Sequence, residues 1–298
     1  MTSTELAVTA ADPRAGSRAG AAMATASMVC VQLGLAVSVG LFDRVGPLGA
    51  AWLRLAIAGV LFAVIVRPRP SHYTKAGLRG CLLLGVVTAS VTLCYVFAIA
   101  RLPLGTASAL EFLGPLGVAV ARGHGAKKRW PALAALGVVL LTEPWRGGAD
   151  LIGVGFALAA AVSLAGYILL TQRVGDEVAG IRGLAISMPV AGIVATVIAG
   201  PTVFPRLDGQ LLLIGVGLAV LLPVIPFSLE MLALRKLTAA AFGTLMSLEP
   251  AVALVIGFVV LHQVPGALAV PGIALVIAAG IGAERAGARQ SPSASRSA

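Results

Sequence analysis

The chain alternates long apolar runs with short polar interruptions. Ten runs are read as spans: 21–42, 47–66, 77–98, 104–121, 131–142, 151–170, 181–200, 210–229, 240–260 and 265–283. Most reach the length of about 20 residues that crosses a hydrocarbon core as an α-helix. The fifth is short because Pro131 and Glu143-Pro144 bracket it. In lipid the backbone must satisfy its own hydrogen bonds, so runs of this length are expected as helices. The pattern predicts an all-α polytopic membrane protein with ten transmembrane helices. Residues 1–20, rich in Ala, Ser, Thr and Gly, read as a flexible tail, as do 284–298. The apolar run from Ala21 reads as a retained span rather than a cleaved signal.

Composition then excludes whole classes. The 298 residues are 58% hydrophobic and 11% charged, whereas a soluble domain carries about 25% charge. So few charged side chains cannot cover a soluble globule. Ten spans consume roughly 200 residues, which leaves no room for a soluble catalytic domain, and no enzyme is expected. No glycine-rich phosphate loop ending in Lys-Ser/Thr is present, so ATP-driven pumping lacks an engine. His72, His124 and His262 lie in loops or at an edge and form no metal set. Cys30, Cys81 and Cys94 read as small buried hydrophobes. No cofactor or metal is expected.

Charge placement supplies the orientation. Starting from a cytoplasmic N-terminus, 17 Lys and Arg fall on the cytoplasmic side, from Arg14 to Arg296, and 4 fall outside: Arg44, Arg101, Arg146 and Arg206. Short cytoplasmic loops attract basic residues, so this bias predicts an even number of spans with both termini inside. The net charge of +10 is thus a topology signal, not a nucleic-acid surface.

The chain also repeats itself. Arg101-Leu102-Pro103 through Gly114-Pro115 aligns with Lys236-Leu237-Thr238 through Glu249-Pro250 at an offset of 135, which also carries Gly137-Val138-Val139-Leu140 onto Gly272-Ile273-Ala274-Leu275. Asp43-Arg44-Val45-Gly46 echoes Gln172-Arg173-Val174-Gly175 at a slightly different offset of 129. The halves are expected as five-helix repeats over 21–142 and 151–283. Five passes is an odd number, so the second half starts on the opposite face. Inverted repeats underlie alternating access in many secondary transporters.

Four charges fall inside spans: Arg54, Glu111, Glu230 and Glu249. Each is expensive in a membrane unless paired, protonated or wetted, so each is a candidate for substrate or proton coupling. Interhelical pairing is the structural alternative, with Arg54 as the natural partner. Glu111 and Glu249 lie in repeat-related spans but not at equivalent positions, since Glu111 aligns with Met246 and Glu249 with Gly114. Arg54 suits a substrate carboxylate or a salt bridge between halves. Pro115 and Pro250 are expected to kink their helices. Ser108, Thr244, Ser247, Tyr95, Phe112 and Phe227 are cavity-lining candidates.

These residues resemble the EamA branch of the drug/metabolite transporter superfamily, over about residues 21–283. The string Ala107-Ser108-Ala109-Leu110-Glu111-Phe112-Leu113-Gly114-Pro115-Leu116, and the stretches Pro226–Met231 and Phe242–Ala251, are most similar to bacterial inner-membrane threonine/homoserine exporters. The resemblance implies secondary active export of small amino acids across the inner (plasma) membrane, with threonine and homoserine as the type substrates and protons as the counter-ion. The partners implied are the amino acid, protons and membrane lipid, and no nucleic acid; a homodimer is left open. Under this reading the cargo ammonium meets Glu111 or Glu249, its carboxylate meets Arg54, and its hydroxyl meets Thr244, Ser108 or Ser247. Export of another metabolite or drug, a channel, and a non-transporting membrane sensor or assembly protein stay open.

Overall fold

The computed structural model describes residues 13–68, 73–122, 129–143, 150–178, 182–234, 236–237 and 239–288. Among these residues every regular element is helical: α1 (Pro13–Gly40), α2 (Phe42–Val66), α3 (Lys75–Ile99), α4 (Leu104–Glu111), α5 (Leu113–Arg122), α6 (Arg129–Thr142), α7 (Leu151–Glu177), α8 (Leu184–Val203), α9 (Gly209–Ala219), α10 (Ile225–Leu234), α11 (Ala239–Met246), α12 (Glu249–Leu261) and α13 (Ala269–Ala288). Six helical segments are long and apolar enough to cross a membrane, and four shorter apolar helices accompany them: Leu104–Val118, Arg129–Thr142, Gly209–Leu222 and Ala269–Gly282. The protein is a polytopic helical membrane protein.

Three of the ten sequence-derived spans are interrupted. The fourth comprises α4 and α5, the ninth α11 and α12, and the eighth α9 and α10 joined by a π-helical turn over Val220–Val224. Proline explains each site. Without an N–H, Pro115 leaves the Glu111 carbonyl unbonded, Pro250 does the same for Met246, and Pro223 lies inside the π-turn. Helix ends also differ from the hydropathy boundaries. The first helix starts at Pro13, inside the expected tail, and α7 runs on to Glu177. The second span starts at Pro47 after Gly46, whose φ of 71° interrupts α2. Side-chain caps set three other starts: Thr74 accepts from Gly77 N at 3.0 Å, Asp150 from Gly153 N at 2.8 Å and Asp208 from Leu211 N at 2.7 Å.

The principal helix pairs join the two halves of the chain. The most extensive packing is α2 on α8, α3 on α7, α6 on α13 and α3 on α8, followed by α1 on α10 and α4 on α12. Small residues let the backbones approach, as TM packing requires. A Cβ on Gly59 would stand 3.0 Å from the Met188 carbonyl oxygen, and one on Gly192 3.0 Å from that of Leu55. Polar links cross the same seams: Trp52 Nε1 donates to Thr196 Oγ1 at 2.9 Å, and the Ser90 and Ser163 hydroxyls lie 3.0 Å apart. The outer surface is apolar, with Val162 and Val197 each 74% exposed, as expected of lipid-facing positions.

One end of the bundle carries the connections around Arg44, Arg101, Asp150 and Asp208; it is called the Arg44 end. There Arg44 pairs with Asp208 at 2.9 Å and Arg101 with Asp150 at 3.1 Å, each joining the two halves. The Lys75 end is opposite, where Tyr73 Oη donates to the Arg182 carbonyl at 3.0 Å.

Candidate functional site

Two of the intramembrane acids sit at the helix breaks. Arg54 lies at the middle of α2, Glu111 ends α4, and Glu249 opens α12. Glu230 lies in α10, after the π-turn. All four side chains are partly buried.

Arg54 Nη2 donates to Thr92 Oγ1 at 3.1 Å. Its charge acts on Glu111 through space. Among the described residues, however, the ion pairs are those of Arg44 and Arg101 at the surface, and Arg54 has no carboxylate within salt-bridge distance. A guanidinium removed from water is costly without an anion, so this geometry leaves room for one.

The acids are held by the first helix. Ser27 Oγ donates to Glu230 Oε1 at 2.8 Å, and Gln32 Nε2 donates to Glu249 Oε1 at 3.3 Å. Ser27 and Gln32 are five residues apart on α1, roughly 7.5 Å along a helix axis. α1 therefore presents a two-step ladder to the second half of the chain. Coulombic coupling continues it, from Glu230 to Glu249 and from Glu249 to Glu111.

Helix ends treat the two central acids differently. Glu249 lies in the first turn of α12, where free N–H groups favour negative charge. Glu111 is the last residue of α4 and has the opposite end of a helix beside it. The breaks themselves fall at Phe112 and at Ser247-Leu248. Phe112 and Ser247 meet over α13: a Cβ on Gly280 would stand 2.6 Å from the Phe112 ring and 2.9 Å from Ser247 Oγ.

Two cavities open into the bundle. One of about 250 Å³ lies toward the Lys75 end, between α1, α2, α3, α7, α8 and α10. Its polar lining is Arg54, Thr88, Thr92, Tyr167 and Glu230, set in an apolar wall that includes Phe62, Met188 and Leu222. The other, of about 400 Å³, lies at the Arg44 end and holds the Arg101–Asp150 pair and Gln263. Gln263 Oε1 accepts from Leu104 N at 2.9 Å, which caps α4. Beside this cavity the Gly153 N–H and Arg101 hold the Asp150 carboxyl below its ordinary range.

Of the residues singled out from sequence, Arg54 and Glu230 thus share one cavity. Glu111 and Glu249 act on one another through space and line neither cavity. Tyr95, Ser108, Phe112 and Ser247 are buried and line neither cavity. The Tyr95 hydroxyl has no hydrogen-bond partner, although Ser108 lies close enough to act on it. Ser247 Oγ donates to its own helix at Gly243 O, 3.1 Å away. Thr244 lies in α11, partly buried, with an interaction of its own. The Phe227 side chain falls outside the described residues. Ser27, Gln32, Thr88, Thr92 and Tyr167 join the site without having been singled out. Their signal was a polar atom in an apolar run.

Known proteins place this arrangement. Residues 151–282 match the EamA-like transporter family. The chain is 33% identical over 260 residues to the threonine/homoserine exporter RhtA of Escherichia coli strain K12, covering 86% of this chain and 88% of that one. RhtA of Salmonella typhimurium strain LT2 matches with the same identity and coverage. A crystal structure of a protein 17% identical in sequence superimposes with a TM-score of 0.60 over 94% of this chain and 99% of its own, so the fold is shared. With that identity over most of both chains, and a bundle of apolar helices to match, the chain belongs to the EamA-like transporter family.

Proposed function

We propose that the protein is a secondary active exporter of small amino acids such as threonine and homoserine, working by proton antiport and alternating access. One observation carries the reading: Arg54 and Glu230, opposite in charge and not paired with each other, line a single cavity between the two halves. A zwitterion presents a carboxylate to the first and an ammonium to the second. Thr92 and Tyr167, in the same lining, supply hydroxyls for a hydroxylated side chain. The names of the curated relatives support this cargo class.

The proposed path starts at the cytoplasm, with both termini on that side of the inner membrane as the basic residues suggest. The Lys75 end is then cytoplasmic, and the cavity there receives the amino acid. Glu111 and Glu249 serve as the proton-carrying acids. Proton uptake from the outside neutralises one of them, weakens the negative field that they and Glu230 together present to the ammonium, and favours release and return.

Alternating access rests on two inverted five-helix repeats, over 21–142 and 151–283. The helix packing supports this. Numbered as ten passes, the principal pairs are 2 with 7, 3 with 6, 5 with 10, 3 with 7, 1 with 8, 4 with 9 and 2 with 8. Adding five to each number, counted cyclically, returns the same set, as a two-fold relation between the halves requires. The break positions agree, since Phe112 and Ser247 are separated by the offset of 135.

The test is counterflow of a radiolabelled amino-acid panel in proteoliposomes, with and without a pH gradient. Saturable exchange of threonine or homoserine, enhanced by the gradient, is expected. Folded protein that exchanges no amino acid overturns the reading. Exchange restricted to a larger apolar solute assigns the cavity to another metabolite or drug.

A further inference from the structure

Gln32 carries a feature that the transport reading above leaves unused. The side chain is 1% exposed. Its Nε2 donates to Glu249 Oε1 at 3.3 Å, but its Oε1 is buried with no hydrogen-bond partner. A buried carbonyl oxygen without a donor forfeits the hydrogen bond it would make in water. An apolar residue of similar size would fill the space without that cost. The donor end of the amide is used by Glu249, and its buried oxygen is left for a donor that arrives in another state of the site.

Amide chemistry names that state. A primary amide is both donor and acceptor, and its two ends exchange by a half-turn about the terminal bond. An ionised carboxylate only accepts, whereas a protonated one also donates. Glu249 is the neighbour whose hydrogen-bonding role changes with proton uptake in the proposed cycle.

We propose that Gln32 is the positioning residue of Glu249, bonding the carboxylate through its N–H when the acid is ionised and accepting the carboxyl proton through Oε1 when it is protonated. The step moves one proton from water to a Glu249 oxygen, and the amide half-turn follows it. The acid thereby stays tied to α1 in both charge states. Proton uptake need not strand it, and α1 of the first half registers the charge of an acid in the second. The inference rests on the proton role given to Glu249 above.

Other groups around Glu249 do not supply this pair of bonds. From α4, Glu111 acts on it as a like charge; from α10, Glu230 does the same. Tyr95 of α3 is within electrostatic reach, with its own hydroxyl unpartnered. Neither α11 nor residues 269–282 of α13 carry a titratable side chain.

The experiment compares the unaltered chain with Gln32→Met and Gln32→Asn in proteoliposomes. Gln32→Met keeps the volume and removes both hydrogen bonds, and Gln32→Leu replaces it should the Met variant fail to assemble. The N–H bond to the carboxylate is charge-assisted and the stronger of the two, so its loss costs the ionised form more, and the pH profile of amino-acid exchange is expected to move toward alkaline pH by about one unit, a tenfold change in proton affinity. Gln32→Asn, which keeps an amide, restores part of the shift. A purely structural residue would lower the yield of folded protein and the maximal rate without moving this profile. Infrared difference spectra give a second readout that needs no cargo. The protonated carboxyl band of Glu249, assigned by its loss in Glu249→Gln, is expected to shift in Gln32→Met. An unmoved profile and an unmoved band overturn the proposal. If the unaltered chain exchanges no amino acid, the transport reading falls, and the carboxyl band alone decides the role of Gln32.

Discussion

Gly137 of α6 and Gly272 of α13 face each other so closely that a Cβ on Gly137 would stand 2.7 Å from the Gly272 carbonyl oxygen, and one on Gly272 3.0 Å from that of Gly137. They are separated by the repeat offset of 135. Each is thus the contact of its own counterpart, the relation expected beside a two-fold axis.

This approach makes Gly137 intolerant of a side chain. The obstructing atom is backbone, which cannot rotate away. Gly137→Ala is expected to destabilise the fold by about 1–3 kcal/mol, the range for overpacking. Gly117→Ala is the control, since nothing lies within 4 Å of its added Cβ. Thermal unfolding in detergent checks both, and equal melting temperatures would refute the close contact.

Arg54 is expected to govern affinity for cargo with a carboxylate. A hydrogen bond to a charged group is worth about 1.5–3 kcal/mol. Arg54→Gln should therefore raise KM about tenfold or more. Arg54→Lys keeps the charge but loses the planar fork, so it should recover only part of the loss. The readout is concentration-dependent counterflow. A KM unchanged in both variants would remove Arg54 from the binding site.

Glu111 and Glu249 are expected to separate coupling from exchange. In Glu111→Gln or Glu249→Gln, at least one variant should exchange amino acid across equal pH and fail to respond to a pH gradient. Uphill efflux measured against counterflow in the same vesicles makes the comparison. Normal gradient-driven transport in both variants would exclude the pair as proton carriers.

The orientation is open to labelling. With Cys30, Cys81 and Cys94 replaced, His262→Cys should react with an impermeant maleimide added outside cells. His124→Cys should react only after permeabilisation. The reverse pattern would place the termini outside.

At the Arg44 end, Asp150 gives an acid-side prediction. The Gly153 N–H and Arg101 hold its carboxyl below the ordinary value of 3.8. A group depressed on folding stabilises above its unfolded value, and that contribution fades as pH falls through the folded one. The decline belongs below about pH 4. Asp150→Asn should flatten this part of the melting curve against pH and lower stability slightly at neutral pH, where the ion pair with Arg101 is lost while the amide oxygen still caps α7.

Much of the architecture was legible in the chain because lipid imposes a length on apolar runs. The span positions, the repeat offset, and the acids and prolines at the breaks all follow from local pattern. The site was legible only as separate charges. Gln32 is visible as an amide in an apolar run, but its partner Glu249 lies 217 residues away, and Ser27 lies 203 from Glu230. A single sequence carries no sign of which distant acid a polar side chain will meet. The grouping of Arg54 with Glu230, rather than with Glu111 and Glu249, depends on how α2 and α10 border one cavity. The length of α1 escaped hydropathy for another reason. Its first turns are polar and outside any apolar run, and Pro13 suits a helix start better than a helix interior.

The helix pairing has one consequence for the cycle. α3 lies along α7 more extensively than α1 lies along α10, although the proposed repeat makes these two pairs counterparts. A molecule built from matched halves can interchange the roles of its halves. In the opposite-facing form, α1 and α10 would close as α3 and α7 do now, while α3 and α7 would part. On that proposal the unequal seams are two frames of one movement, with the closed α3–α7 seam as the template for α1 and α10.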